Sequence, residues 1–259
     1  MNLYIFCESN RSTVYGIGTY IRELSAALKE SDINVCVIYL YTDKPDMETD
    51  EKTDGISYWY IPSPVNSILS NDRDRQRALY YRNVLYLLKL HIKDTDRLIF
   101  HLNQNKSGKL VEELKKTFDC RVVTTVHYFE WSLNLSGNAT CFRKILTSGG
   151  YNNNNALNIV VESYRKEKDL FETADHIISL SKNTQQILQD DYQIKSNKIT
   201  AIYNGLNNIC FPPDKQALRL KESSINYIYD YILLVRNNFI SLRRVKAQRE
   251  IRKDFAILE

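Results

Sequence analysis

The sequence predicts an α/β fold built on a parallel sheet with helices on both of its faces. Three observations lead to this prediction: short apolar runs recur along the chain, segments with helical periodicity separate them, and polar residues follow the ends of several runs. Alternating strands and helices of this length indicate βαβ units, whose strands pair in parallel. Ligands of such folds bind at the carboxyl ends of the strands.

The predicted elements follow one another in a regular order. A buried strand at residues 3–7 comes first, and a helix follows with an apolar face made of Tyr20, Leu24, Ala27 and Leu28. Further strands are predicted at residues 35–40, 56–61, 97–102, 121–126, 176–180 and 198–203, and further helices at residues 73–91, 108–118, 156–173 and 181–192. We expect residues 128–155, which end in four consecutive asparagines, to form an irregular loop that is either functional or disordered.

Composition restricts the class of protein. With 43% hydrophobic and 25% charged residues the chain can form an ordinary core, and a net charge of +4 is too small to indicate nucleic-acid binding. No apolar run approaches the roughly 18 residues that span a bilayer, and the first strand is too short for a signal peptide, so we expect a cytoplasmic protein. The five scattered cysteines lack metal-binding spacing and are expected to be reduced core thiols, with no metal or other cofactor.

Gly16 and Gly18 stand just before the predicted first helix. Free backbone N–H groups and the helix dipole favour a phosphate at a helix N-terminus, and glycine allows a ligand to approach the backbone closely. The alternative is a flexible loop that leads into a helix. A dinucleotide site fits poorly, because Ile21 stands where a third glycine belongs and the loop after the first strand is too long for the required tight turn.

Two histidines are expected at the carboxyl edge of the sheet. His127 directly follows the strand at 121–126, and His101 lies near the end of the strand at 97–102, shortly before Asn103. An imidazole at this edge can hydrogen-bond to a sugar hydroxyl or to a phosphate. The alternative is that both histidines are structural hydrogen-bonding groups.

Aromatic residues and a carboxylate follow His127 directly. Apolar sugar faces stack on aromatic rings and sugar hydroxyls need acceptors, so Tyr128, Glu130 and Trp131 are candidate substrate-binding residues. In the alternative interpretation, Trp131 only packs this segment onto the domain.

Four motifs along the chain belong together. They are Gly-Ile-Gly-Thr-Tyr-Ile-Arg-Glu-Leu at residues 16–24, Val-Thr-Thr-Val-His at 123–127, Ala-Asp-His-Ile-Ile-Ser-Leu-Ser at 174–181 and Lys-Ile-Thr-Ala-Ile-Tyr-Asn-Gly at 198–205. In this order they resemble the N-terminal domain of GT-B glycosyltransferases of the large retaining family 4. The resemblance implies that the α/β domain is a Rossmann-like half of a GT-B fold.

The resemblance also implies a function. Family 4 enzymes transfer a glycosyl group from a nucleotide-sugar donor to a glycan or lipid-linked acceptor, with retention of configuration and without a metal. Carried over, Gly16, Gly18 and Thr19 would approach the donor phosphates, and His127 would be the catalytic residue in a cleft between two domains. Polysaccharide or glycoconjugate biosynthesis is the family-level expectation.

The end of the chain departs from the family pattern. Tyr203, Asn204 and Gly205 would mark the interdomain hinge, but only 259 − 205 = 54 residues follow, and no two glutamates have the Glu-x7-Glu spacing of the family's donor domain. We expect residues 1–208 to form the N-terminal domain, and residues 209–259 to be a linker with a truncated second domain or a divergent basic tail. The chain is then the acceptor-binding half of an enzyme and inactive by itself.

Three interpretations of the basic tail stay open. From residue 236 onward, basic residues alternate with apolar ones at Arg243, Arg244, Lys246, Arg249, Arg252 and Lys253. A basic amphipathic helix can dock on an anionic membrane that carries a lipid-linked acceptor, which would make the protein peripheral to the inner face of the membrane. It can also close the domain as a solvated helix. The third interpretation, a frameshifted remnant, is favoured because the departure begins inside a recognisable strand at residues 232–236.

A second class of function is a non-catalytic binding module that pairs with a separate donor-domain chain. An apolar patch on the exposed cleft face would drive such pairing. A nicotinamide-dependent oxidoreductase is disfavoured by Ile21 and by the long first loop.

Overall fold

The computed structural model describes residues 1–8, 16–28, 33–51, 55–64, 73–148 and 155–203. The described residues fall into two compact units. The larger unit comprises residues 1–130 and continues from residue 163 to the end of the described part, and the smaller unit comprises residues 131–162. The expected domain boundary at residue 208 and the basic tail lie outside the described residues.

Strands and helices alternate along these residues. The strands are β1 (Asn2–Glu8), β2 (Asn34–Thr42), β3 (Glu48–Glu51), β4 (Ser57–Pro62), β5 (Leu98–Leu102), β6 (Cys120–Val126), β7 (His176–Ser179) and β8 (Ile199–Ala201). The α-helices are α1 (Gly16–Leu28), α2 (Arg73–His91), α3 (Gly108–Thr117), α4 (Glu130–Asn134), α5 (Ala139–Thr147), α6 (Asn155–Thr173) and α7 (Lys182–Asp190). A short 3-10 helix at Ser196–Lys198 precedes β8.

One sheet contains all the described strands, in the order β3-β4-β2-β1-β5-β6-β7-β8. Every neighbouring pair is parallel except β3 and β4. The chain builds the sheet outward from β1 through β2 to the β3 edge, and α2 then returns it to β5 on the other side of β1. The predicted parallel α/β sheet is confirmed.

Helices pack on both faces of this sheet. Ile5 of β1 packs with Ile21 of α1 in a buried apolar cluster. Its neighbour Tyr4 contacts Trp59 of β4, and the Trp59 ring in turn meets His91 of α2. Because alternate residues of a strand point to opposite faces, α1 and α2 cover opposite faces of the sheet, as the sequence predicts.

Strand β3 is not predicted by the sequence, since its residues Glu-Thr-Asp-Glu are polar. It pairs antiparallel with β4, from Glu48 opposite Tyr60 to Glu51 opposite Ser57. A strand at the edge of a sheet has one unpaired side and does not need an apolar pattern. Pairing with β4 therefore makes this segment a strand.

The prediction of an irregular loop at residues 128–155 is wrong where α4 and α5 lie within it, and residues 149–154 lie outside the described residues. The side chain of Asn138 caps α5 by accepting a hydrogen bond of 2.9 Å from the backbone N–H of Cys141. Phe142 and Ile145 form the buried side of α5. A helix of five residues is too short for the periodicity on which the prediction relied, and α5 follows it with no strand between them.

Candidate functional site

The candidate site lies at the carboxyl edge of the sheet, where the strand order changes direction. From β1 the chain continues to β2 on one side, whereas β5 continues to β6 on the other. In sheets of this kind the loops after two such strands diverge and leave a crevice in which ligands bind. His101 lies in β5, Asn103 directly follows β5, and His127 directly follows β6. The predicted placement of all three residues is confirmed.

These residues form a connected cluster with two further side chains. Nε2 of His127 lies 3.0 Å from Oδ1 of Asn103, and Nε2 of His101 lies 2.7 Å from Oγ1 of Thr125. The hydroxyls of Tyr20 and Thr125 are 3.2 Å apart. The Tyr20 ring meets both imidazoles edge to face, at centroid distances of 4.9 Å for His127 and 6.3 Å for His101. We call Tyr20, His101, Asn103, Thr125 and His127 the histidine group.

Both imidazoles of the histidine group are neutral at physiological pH. Burial lowers the pKa of His127 from 6.5 to about 4. Burial, reinforced by repulsion from His127, lowers the pKa of His101 from 6.5 to about 4 as well. A neutral imidazole has one donor and one acceptor nitrogen, so the position of its proton decides what it can bind.

The position of the proton on His127 follows from Asn103. The Asn103 side chain donates from Nδ2 to the backbone carbonyl of Phe6 at 3.2 Å, and a carbonyl can only accept. Oδ1 of Asn103 therefore faces His127, and it too can only accept. Nε2 of His127 must carry the proton, which leaves the lone pair on Nδ1 of the neutral ring. His127 thus offers a hydrogen-bond acceptor at Nδ1.

The sequence did not identify Tyr20 and Thr125 as members of this site. Tyr20 was assigned only to the apolar face of the first helix, although it belongs to the same motif as Gly16 and Gly18. Thr125 precedes His127 by two residues and lies inside β6, with no visible signal of its own. Their roles depend on contacts between α1, β5 and β6, which are far apart in the sequence.

The glycine motif lies within α1, not before it. Gly16 is the first residue of the helix and Gly18 the third, so the prediction that they precede it is corrected. Among the described residues, a Cβ atom added to Gly16 would meet no other atom within 4 Å. The exposed Thr19 accepts a hydrogen bond of 3.3 Å from the guanidinium of Arg22. The first turn of α1 contains no acidic residue.

Charged residues lie next to the histidine group along the same edge. Nζ of Lys106 pairs with Oε2 of Glu130 at 2.9 Å, and the Tyr128 hydroxyl donates to Oε1 of Glu130 at 3.4 Å. Burial raises the pKa of Glu8 at the end of β1, and the charges of Arg77 and Lys106 oppose that rise. Tyr128 and Glu130, predicted from the sequence, therefore lie among cations and a second carboxylate. The sequence did not single out Glu8, Arg77 or Lys106.

A buried carboxylate anchors the loops of this edge. Glu167 of α6 is fully buried and accepts hydrogen bonds from the Glu130 backbone N–H, from the Asn105 side chain and from the Tyr192 hydroxyl. The Asn105 side chain also donates to the backbone carbonyl of Tyr128. The sequence did not point to Glu167, since its helical position is typical of a solvated charge.

Two other predicted site residues lie elsewhere. Trp131 belongs to the smaller unit, where it is 2% exposed and its ring stacks on Phe142 at a centroid distance of 4.2 Å. Trp131 therefore packs within the smaller unit, and its sugar-binding role stays a prediction. Tyr203 follows β8 and is 56% exposed, while Asn204 and Gly205 lie outside the described residues.

Within the described ranges, no group of three or more His, Cys, Asp or Glu side chains could hold a metal ion. None of the helices described there is long and apolar enough to cross a bilayer.

Comparison with protein families gives one match. The family model described as Glycosyltransferase Family 4 matches residues 14–208. That range includes the first turn of α1, the histidine group and Glu167. No curated protein matches the chain significantly.

Solved structures match the fold at low sequence identity. A sucrose-phosphate synthase from Thermosynechococcus elongatus superposes with a TM-score of 0.59 at 16% identity, over 85% of this chain and 52% of that one. The lipopolysaccharide outer core galactosyltransferase WaaB superposes with a TM-score of 0.50 at 15% identity, over 83% of this chain and 49% of that one. These matches confirm a Rossmann-like half of a GT-B fold. The chain spans about half the length of the structures it matches.

Proposed function

The chain belongs to glycosyltransferase family 4, and from this premise we propose that it serves in glycosyl transfer from a nucleotide sugar to a glycan or lipid-linked acceptor. The observation that carries the proposal is the histidine group at the carboxyl edge of β5 and β6, next to the point at which the strand order reverses. This is where an α/β sheet binds its ligand.

The start of α1 supports a role for the donor diphosphate. A helix of 13 residues directs its free N–H groups and the positive end of its dipole at the space before Gly16. The first turn has no carboxylate, and the Arg22 guanidinium is hydrogen-bonded to Thr19. An anion placed there would meet only favourable charges from the first turn of α1. Tyr20, in the same motif, connects this turn to His127.

The proton on His127 supports a role for a sugar hydroxyl. Its Nδ1 can only accept a hydrogen bond, whereas a phosphate oxygen needs a donor. A ligand group that meets Nδ1 must therefore donate, as a hydroxyl does. Of the two ligands that the sequence left open for His127, the hydroxyl fits and the phosphate does not.

The acceptor is proposed to lie against the charged residues of the same edge. Glu8 and Glu130 supply carboxylate acceptors for hydroxyl groups, while Arg77 and Lys106 supply donors. Carbohydrates are bound by such mixed sets of donors and acceptors, with aromatic surface beside them, which Tyr128 provides.

The histidine group is proposed to line one wall of the active-site cleft. Binding and positioning supply most of the catalysis in such enzymes.

Replacement of His127 tests the proposed function. In a transferase completed with a donor domain, His127→Ala should lower the rate of transfer by roughly a hundredfold or more, since a group that stabilises the reacting sugar is lost. The rate is followed with radiolabelled nucleotide sugars, and circular dichroism checks that the variant folds. His176→Ala, which alters a half-buried histidine of β7, is the matched control and should keep the rate. An unchanged rate for His127→Ala would remove this residue from the site.

A further inference from the structure

Glu167 is an unusual residue for the position it occupies. It is 0% exposed, and burial raises its pKa from 4.5 to about 7. Within the described residues its three hydrogen-bond partners are an amide side chain, a backbone N–H and a phenol, and none of them is a cation. A buried carboxylate without a cation is costly for a fold, so stability alone does not account for it.

The three partners of Glu167 come from three separate segments. Oε1 accepts from the backbone N–H of Glu130 at 2.6 Å and from Nδ2 of Asn105 at 3.1 Å, and Oε2 accepts from the Tyr192 hydroxyl. Asn105 lies after β5, Glu130 begins α4, and Tyr192 follows α7. One carboxylate thus joins the loop after β5, the loop after β6 and the segment after α7.

These bonds fix both ends of the segment that follows His127. Glu167 holds its last residue through the Glu130 backbone N–H, and Asn105, itself bound to Glu167, holds its first residue through the Tyr128 carbonyl. With its backbone held, the segment presents the Glu130 carboxylate to Lys106 at 2.9 Å and to the Tyr128 hydroxyl. The ionised form of Glu167 suits this task because all three partners donate.

We propose that Glu167 is a positioning residue, which sets residues 128–130 beside His127 through the Glu130 backbone N–H and the Asn105 side chain. The inference rests on the proposed function only in treating Tyr128 and Glu130 as ligand-binding residues. Among the described residues, the charged and titratable groups that face Glu167 are Glu130, Tyr128 and Tyr192. Lys106 balances the charge of Glu130. When Glu167 loses its charge, one of its oxygens carries a proton while its hydrogen-bond partners are donors. The hydrogen bonds that hold residues 128–130 then become weaker.

Nuclear magnetic resonance of the full chain tests the proposal without requiring activity. The amide proton of Glu130 and the side-chain amide of Asn105 should both shift with pH at one common midpoint near 7, which is the titration of the carboxylate they bind. In Glu167→Gln both resonances should stop titrating while the amide of Glu130 stays protected, because the glutamine oxygen still accepts from both groups. Glu172→Gln, an exposed change on the same helix, should leave the titration as it is.

The variant Glu167→Leu tests whether Glu167 acts through its hydrogen bonds or only fills space in the core. Leucine is apolar and of similar size but accepts no hydrogen bond, so hydrogen exchange at the Glu130 amide should become roughly ten- to a hundredfold faster, as expected for loss of a bond to a charged acceptor. If this variant does not fold, the titration of the unmodified chain and of Glu167→Gln still decides the question. A Glu130 amide that titrates equally in Glu167→Gln, or that does not titrate in the unmodified chain, overturns the proposal.

Failure of this proposal and failure of the proposed function give different results. If the Glu130 and Asn105 resonances behave as expected but His127→Ala keeps full transfer, Glu167 still positions the segment and the function of the histidine group is wrong. If His127→Ala abolishes transfer but the resonances do not titrate together, the transferase function stands and Glu167 is not its positioning residue.

Discussion

The side chain of Asn103 decides which hydrogen bonds His127 can make to a ligand. It contacts two groups that differ in their hydrogen-bonding capacity. One is a backbone carbonyl of β1, which only accepts, and the other is an imidazole after β6, which can donate or accept. Since the carbonyl can only accept, the amide has one satisfactory orientation, and the tautomer of His127 follows from it. A single uncharged residue thereby determines that His127 accepts, rather than donates, toward a ligand.

Removal of the Asn103 amide should release the tautomer of His127. In the unmodified chain, two-dimensional ¹H–¹⁵N spectra of the imidazoles should show His127 protonated at Nε2 at neutral pH. In Asn103→Ala, Nε2 loses its acceptor, and the ring should populate both tautomers. His176, which hydrogen-bonds to Thr200 and has no contact with Asn103, serves as the reference in the same spectra. A His127 protonated at Nδ1 in the unmodified chain would contradict the argument.

At the scale of the elements, polar residues decide where helices begin. Ser181 caps α7 by accepting a hydrogen bond of 3.0 Å from the Thr184 backbone N–H, and its hydroxyl lies 2.9 Å from that of Thr184. Serine stands directly before the apolar periodicity of this helix, which is the position of a cap. Asn138 caps α5 in the same way. Both helices have nine residues, but a predicted strand precedes α7, whereas α5 follows the five-residue α4. A cap is easier to recognise from sequence when the element before it is also predicted.

Loss of the α7 cap should lower the free energy of unfolding moderately. Ser181→Ala leaves the Thr184 N–H without its acceptor, so we expect the free energy of unfolding to fall by about 1 kcal/mol. Urea denaturation followed by circular dichroism measures this difference. Ser63→Ala, a change at an exposed serine after β4, is the control and should leave the free energy of unfolding unchanged. Equal stability of the two variants would show that the cap contributes nothing.

At the scale of the whole molecule, buried titratable groups make stability depend on pH in opposite directions. The pKa values of His101 and His127 are lowered from 6.5 to about 4, so the unfolded chain binds their protons more readily and acidification below 6.5 favours unfolding. The pKa of Glu167 is raised from 4.5 to about 7, so the folded chain binds its proton more readily and acidification below 7 favours folding. The two histidines therefore act against Glu167, and against Glu8, whose pKa burial also raises.

The contribution of Glu167 can be isolated by substitution. Between pH 6.5 and pH 4.5 the stability of Glu167→Gln should change in the unfavourable direction relative to the unmodified chain as pH falls, because a group that gains a proton in the folded state is gone. Urea denaturation at several pH values measures both slopes. Glu172→Gln, on the exposed side of the same helix, should follow the unmodified chain. An equal slope for Glu167→Gln would show that Glu167 titrates normally in the folded state.

Some residues of the candidate site could be predicted from the sequence, and others could not. His101, Asn103 and His127 were placed correctly because each lies in or next to an apolar run, and the end of a buried parallel strand has a known position in the fold. Tyr20 and Glu167 were missed because a tyrosine on an apolar helix face and a glutamate in a polar helix are ordinary choices at those positions. Their partners lie 105 and 62 residues away in the chain, at Thr125 and Asn105 respectively.

The sequence by itself determined the order of strands and helices apart from β3, α4 and α5, the parallel sheet with helices on both faces, and the family to which the chain belongs. It did so because side-chain periodicity and short motifs act over a few residues and are visible along the chain. Only the tertiary structure decided the polar edge strand β3, the proton on His127, and the carboxylate of Glu167 that holds residues 128–130. Each of these arises from hydrogen bonds between segments that only folding brings together, which no local pattern of residues can indicate.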